Sequence, residues 1–276
     1  MNNTTVKIGM IQMEVVFSQP QKNLKKAEQL VKKAKEAGAQ ICVIPECMDL
    51  GWGNEDVEFL AESIPGKTSD ELTRIARENE VFLVSGLTER AGDKIYNAAL
   101  LISDEGEILF HHRKINVLTG VEDVYSIGDR LGVTETKYGK IAIDICADNF
   151  VNSLSVGVTL GRMGADLLLS PTAWAVVPDR DVVKEPYGEE WHIPYKKLSS
   201  FFGMPVVGVS NVGQVTKGPW AGWKAIGNSI AYDSDGSLIT VLPYGEDAEC
   251  VQVIDVHIKQ KTVKGTELAE RLEKNF

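Results

Sequence analysis

Cys146 stands where two patterns meet. Residues 141–145 before it form an apolar, β-branched run, which suits a strand buried on both faces. After it come the polar turn Ala147-Asp148-Asn149 and then Val151, Leu154, Val158 and Leu160, which fit one helical face, with Asn149 or Asn152 placed to cap it. A thiol between a strand end and a helix start lies near unpaired backbone N–H groups and the positive end of a helix dipole. That placement is expected to lower its pKa and to supply donors for an oxyanion. The competing reading is a small buried hydrophobe, the commonest use of a free cysteine.

Three charged residues extend the chemistry. Glu46 follows the apolar run QICVIP, Lys114 closes the run His-His-Arg-Lys, and Glu122 stands eight positions further on. All lie beside strand ends or in the loops after them, where ligands gather in α/β proteins. Singly, each reads as an ordinary surface charge. Together they supply what a thiol needs. Glu46 can take the thiol proton and later activate water. Lys114 can meet a developing oxyanion beside the Ala147 N–H, and Glu122 can orient Lys114 or the substrate nitrogen. One such oxyanion donor is worth roughly 10²–10³ in rate. His192 is a rival base for Cys146, set in a helix start. His111 and His112 do not suggest a metal site, because neighbours on a strand point to opposite faces and no third ligand follows. Cys42, Cys47 and Cys250 read as packing residues. Trp52, Trp174, Trp220 and Trp223 fall in loop-like segments, and Trp174, after the strand DLLLS, is the expected pocket wall.

These segments resemble the nitrilase superfamily of carbon–nitrogen hydrolases. The likeness rests on the Ile-Pro-Glu46 strand end, Arg113-Lys114, Glu122 and the Ile145-Cys146 elbow. Tyr96-Asn97-Ala98-Ala99, Gly227-Asn228-Ser229 and the stretch from Tyr232 to Gly236 support it. The resemblance covers roughly residues 6–256. It implies a four-layer α-β-β-α sandwich with two mixed β-sheets, dimeric through the face carrying the helix behind the cysteine. It implies Cys146 as nucleophile, Glu46 as general base, Lys114 as oxyanion stabiliser and Glu122 as the supporting glutamate. It further implies a thioester acyl-enzyme without metal or organic cofactor. The expected substrate is a small amide, with carbamoyl compounds and nitriles as alternatives and a non-catalytic binding member as the rival class. One departure concerns substrate class: Ala147 replaces the aromatic residue that often follows the cysteine, and the usual arginine is missing, while Asp148 and Phe150 keep the outline.

The rest of the chain must hold these residues in place. Its 276 residues are 43% hydrophobic and 25% charged, with a net charge of −10. An acidic chain is a poor match for nucleic acid, and no apolar run reaches membrane-spanning length. The start MNNTTVKIGMIQ lacks the features of a signal peptide, and the cysteines form no CxxC pair, so a cytoplasmic setting is expected. Helices are expected over 23–37, from a capping box at 68–71 through 77, and over 189–202. Strands are expected over 5–12, 40–45, 81–88, 166–170, 205–211 and 250–256, and hairpins about 104–106, 138–139 and 234–236. Interleaved strands and helices without a linker or clear tandem repeat give one α/β domain over residues 1–276. Its charged tail, from about 258, is expected to be helical. The loops 176–188 and 213–225 are candidate lids.

Overall fold

The computed structural model describes residues 3–259 other than Val183 and Pro186. Among the described residues, fifteen strands form two large sheets and one small one. They are β1 (Asn3–Gln12), β2 (Ile41–Ile44), β3 (Phe82–Ala91), β4 (Lys94–Ile102), β5 (Ile108–Arg113), β6 (Val133–Thr136), β7 (Gly139–Ile143), β8 (Leu167–Pro171), β9 (Ala175–Val176), β10 (Val206–Val209), β11 (Val212–Gln214), β12 (Lys224–Ile226), β13 (Ile230–Tyr232), β14 (Leu238–Val241) and β15 (Cys250–Lys259). The first sheet has the order β15-β1-β2-β3-β4-β5 and the second β14-β13-β10-β8-β7-β6, while β11-β12-β9 makes the small sheet. Both large sheets are mixed. From β15 to β5 the pairings run antiparallel, parallel, parallel, antiparallel, antiparallel. From β6 to β14 the same series repeats. The two halves are thus built alike, an internal correspondence that the sequence does not display as a repeat.

Side-chain alternation creates the layers. Ile41 and Val43 of β2 and Ala99 and Leu101 of β4 face the second sheet, meeting Ile143, Leu169 and Val207. Cys42, Ile44, Ala98, Leu100 and Ile102 face the other way, onto α1 (Pro20–Glu36) and, beyond the single-turn α2 (Val57–Leu60), α3 (Lys67–Glu78). On the far side, α4 (Ser155–Arg162) and α5 (Glu189–Phe202) cover the second sheet with Leu160, Trp191, Tyr195 and Leu198. The result is the four-layer α-β-β-α sandwich. Each aliphatic side chain fully buried between layers contributes about 1.5–3 kcal/mol.

Most element boundaries follow the sequence patterns, and the departures have local causes. Helix α1 starts at Pro20, before the apolar periodicity begins, because proline suits the first helical turn. Helix α3 opens at Lys67, where Ser69 Oγ accepts the Gly66 N–H at 2.8 Å, so Gly66 and Ser69 form the cap instead of Thr68 and Glu71. Strand β15 pairs with β1 as far as Lys259, so the expected tail does not begin at 258; its remainder lies outside the described residues. No helix among the described residues is long and apolar enough to cross a membrane.

Candidate active site

The turn after β2 carries Glu46 and Cys47, the latter at φ 45°. The Glu46 N–H bonds the Thr172 carbonyl at 3.2 Å, joining the end of β2 to the end of β8 across the two sheets. Gly86 on β3 permits this turn, since a Cβ there would lie 2.4 Å from Glu46 Cα. On β4, Asn97 shares the inter-sheet face with Ala99. On β5, alternation sends His111 and Arg113 outward to Glu89 and turns His112 inward, with Lys114 following.

These side chains converge. Lys114 Nζ lies 2.8 Å from Glu46 Oε1 and 2.7 Å from Glu122 Oε1, and all three residues are fully buried. Asn97 Nδ2 donates to the same two oxygens at 2.6 and 3.1 Å. Trp52 Nε1 donates to Glu122 Oε1 at 2.6 Å, and the Leu118 N–H to its Oε2 at 2.8 Å. Glu46 Oε2 finds no hydrogen-bond partner among the described residues.

Cys146 stands in the same electrostatic field, 4% exposed, with φ 44° at the elbow after β7. The expected helix dipole is absent from this position. Residues Cys146–Asn149 and Val151–Ser153 form separate 3-10 turns, and α4 begins only at Ser155 without a side-chain cap. Asn149 instead bonds Asp144 at 2.8 Å and Ser170 at 3.1 Å. The pKa expectation is therefore corrected. Burial, and then the Glu46 charge, push the thiol well above its ordinary value, while Lys114 and the Ala173 N–H pull it back. Burial likewise raises Glu46, against the pull of Lys114 and with added repulsion from Glu122, to about 7. Burial works against the Lys114 ammonium too, but Glu122 and Glu46 outweigh it and hold it well above the usual lysine range. The arrangement keeps a proton on the sulfur at rest, within the field of the Glu46 carboxyl group.

Trp174 follows β8 and is 1% exposed. Its ring stacks on Trp191 at 4.8 Å, which stacks on Phe150 at 4.7 Å, and Tyr187 tilts against it at 6.2 Å. The Tyr187 hydroxyl accepts the Trp191 indole N–H, and Tyr187 lies within the electrostatic reach of Cys146. Through Tyr187 this aromatic wall brings the end of the expected lid loop to the site. Segment 213–225 covers the Glu122 side, where Trp220 meets Trp52 edge-on at 4.9 Å. Gly218, at φ 76°, there approaches Gly53 so closely that a Cβ would fall 1.8 Å from its carbonyl oxygen. Ala147 contributes its carbonyl, which accepts Asn116 Nδ2 at 2.6 Å and Ser153 Oγ at 2.5 Å. The alternative base, His192, bonds the Tyr232 hydroxyl through Nδ1 at 2.7 Å. Cys42 and Cys47 are buried, whereas Cys250 is half-buried. Among the described residues, no three His, Cys, Asp or Glu side chains are grouped to hold a metal ion.

Sequence reasoning named the four central residues and weighed Trp52 only as one of the loop tryptophans, but gave Asn97, His112 and Asp148 no part in the site. The signal for Asn97 was its place two residues before Ala99 on an alternating strand. Strand alternation marks His112 as well, but no periodicity marks Trp52 or Asp148.

Residues 7–267 match the family description of carbon-nitrogen hydrolases. The chain belongs to the carbon-nitrogen hydrolase family. It is 35% identical over 172 residues to a nitrilase of Pyrococcus abyssi, covering 60% of this chain and 64% of the relative. It is 31% identical over 162 residues to an omega-amidase of Xenopus tropicalis, covering 55% and 58%. The chain thus spans less than two thirds of the length of these curated relatives. Among solved structures, a carbon-nitrogen hydrolase of Helicobacter pylori superposes with TM-score 0.81 at 18% identity, covering 98% of this chain and 91% of that one. A mutant amidase of Nesterenkonia sp. AN1, with the acetamide moiety of fluoroacetamide added covalently at its active-site cysteine, gives 0.77 at 19% identity and covers 98% and 96%.

Proposed function

We propose that the chain hydrolyses a non-peptide carbon–nitrogen bond in a small amide through a thioester on Cys146. The observation that carries this reading is the sealed Glu46–Lys114–Glu122 cluster, one carboxyl oxygen of which, Glu46 Oε2, is left without a donor in the field of the Cys146 sulfur.

In the first half-reaction Cys146 Sγ attacks the amide carbon and the thiol proton passes to Glu46. Charge accumulates on the carbonyl oxygen, where the Lys114 ammonium meets it, with the Ala147 N–H as a further donor. Collapse breaks the C–N bond, and the proton held by Glu46 goes to the departing ammonia. In the second half-reaction Glu46 takes a proton from water, which attacks the thioester. The acid leaves and the sulfur regains its proton. Glu122 fixes the Lys114 ammonium between two carboxylates. A low-dielectric, dry setting strengthens each of these interactions. The aromatic wall of Trp174, Tyr187 and Trp191 lines the acyl side and favours a small acyl group. The omega-amidase and amidase relatives support an amide, and the nitrilase relative keeps nitriles as the second reading. A cytoplasmic homodimer completes the proposal.

The test is ammonia release over a panel of amides, ureido acids and nitriles. Wild-type turnover that disappears in Cys146→Ala, with an acyl adduct on Cys146 by intact mass, is expected. Undiminished turnover in Cys146→Ala overturns the proposal. Carbon dioxide released with ammonia reassigns the substrate to the carbamoyl class.

A further inference from the structure

Asp148 lies two residues after the sulfur, is fully buried, and bonds to both chain segments that must meet for catalysis. Its Oδ1 accepts the backbone N–H groups of Ile115 at 3.1 Å and Asn116 at 2.7 Å, directly after Lys114. Its Oδ2 accepts the Ile145 N–H at 3.1 Å, directly before Cys146. The same oxygen lies 2.9 Å from Nε2 of His112, two residues before Lys114, and neither side chain is exposed. Asn116 adds a second tie, from Nδ2 to the Ala147 carbonyl at 2.6 Å. Lys114 is therefore bracketed on both sides by groups bound to one carboxylate, and Cys146 is bracketed by that carboxylate and by Ile145.

We infer that His112 and Asp148 are positioning residues that lock the lysine-bearing loop after β5 to the cysteine elbow after β7, fixing where Lys114 stands relative to the carbon attacked by Cys146. The inference rests on the proposed roles of Lys114 and Cys146. The geometry distinguishes it from a general stabilising role. A carboxylate needed only for stability has no reason to bind the residues immediately flanking both functional groups. Four donors on two oxygens also leave little freedom of rotation, and loss of register by about 1 Å at a reacting centre costs on the order of 10²-fold in rate. The ties act on the oxyanion side, so they matter for carbonyl addition more than for the reactivity of the sulfur itself.

The experiment compares two reactions of the same sulfur. Hydrolysis of a small amide passes through an oxyanion. Alkylation by chloroacetamide forms the S–CH₂ bond, expels chloride and sends the thiol proton to Glu46, with no tetrahedral centre. Asp148→Asn places an amide NH₂ among N–H donors whichever way it turns. It is expected to lower kcat by about 30-fold or more, with KM within about threefold and the alkylation rate within about threefold of wild type. His112→Phe should show the same split at about tenfold, and His112→Gln, whose amide can again donate to Asp148, should recover most of kcat. Unchanged kcat in Asp148→Asn overturns the inference, as does an equal loss of turnover and alkylation. If Asp148→Asn does not fold, the His112 pair decides: no split in His112→Phe, or no recovery in His112→Gln, overturns it. A wild-type protein that neither hydrolyses amides nor takes the alkyl group on Cys146 overturns the hydrolase proposal and this inference with it. Wild-type turnover without the variant split removes the inference alone.

Discussion

The pH dependence of turnover tests the assignment of Glu46 as base. Burial and the neighbouring Glu122 raise its carboxyl from the ordinary 4.5 to about 7, although Lys114 and Asn97 pull it down. The reaction needs the ionised form. Below the folded pKa, kcat/KM should fall about tenfold per pH unit, so that at pH 5 it stands at about 1% of its plateau. A carboxyl at its ordinary value would leave about three quarters of the activity at that pH. The plateau should extend past pH 9, because burial and Glu46 hold the thiol high and the sulfur carries its proton into the encounter. Stability runs the other way. Between pH 4.5 and about 7 the folded chain keeps a proton that the unfolded chain releases. The contribution of Glu46 is thus favourable below that window and is lost as pH rises through 7, by about 3 kcal/mol in all. Activity therefore appears where this residue stabilises least.

Two other buried acids titrate nearby and must be separated from Glu46. Burial raises Asp144 to about 7 and Asp49 to about 6. Ammonia release followed from pH 5 to 9 in the wild type, Asp144→Asn and Asp49→Asn should give the same acid limb in all three. A limb that vanishes in Asp144→Asn or Asp49→Asn refutes the assignment. So does a wild type retaining three quarters of its rate at pH 5.

Three further outcomes are expected. Glu122→Gln replaces an acceptor of four donors by a group that must turn an NH₂ toward one of them, and it weakens a charged bond to Lys114 worth about 1.5–3 kcal/mol; kcat should drop about 10–100-fold, measured by steady-state kinetics, and a change confined to KM would contradict the role. Gly86→Ala sets a methyl 2.4 Å from Glu46 Cα and 2.7 Å from the Pro45 carbonyl; thermal unfolding should show a loss of about 1–3 kcal/mol, with activity falling further than stability, and an unaltered kcat would show that the turn is not needed. Val151, Met163 and Ile193 are 52%, 46% and 45% exposed beside or within the outer helix layer; light scattering should give a dimer that Met163→Glu with Ile193→Glu dissociates, and a wild-type monomer would refute the interface.

The strands were legible because alternation and β-branched runs state which face is buried, and the hairpins because Gly106 and Gly139 take the positive φ their turns require. Glu46, Lys114 and Cys146 were legible because each follows a strand end closely with a residue type that has chemical use. The elbow was misread for a definite reason. The apolar spacing of Val151, Leu154 and Leu160 suits a helix running on from Cys146, yet Phe150 is extended at φ −62° and ψ 154°. Asn116 and Ser153 bond the Ala147 carbonyl, so side chains compete with a regular helical ladder there. The consequence was a thiol expected to be acidic that burial makes the reverse. The ties from Asp148 to the lysine-bearing loop escaped for another reason: partners that lie 32–36 positions away leave no local pattern.

The equivalence of the two halves explains where the site falls. Strands β2 and β8 occupy the same central place in the two pairing series, and their ends are joined by the Glu46 N–H and the Thr172 carbonyl. The carboxyl end of a central parallel strand is where two connections diverge and leave room for a ligand. Here two such ends abut, and each supplies one group that acts on the Cys146 thiol: the Glu46 charge from the first half, and the Ala173 N–H from the second. Neither half contains the whole set. The spacing between Glu46 and the Cys146 sulfur is then a property of inter-sheet packing, set by residues such as Val43, Ile143 and Leu169. Close-packed interiors transmit volume changes instead of absorbing them, which makes the buried layer between the sheets part of the geometry of the proposed site.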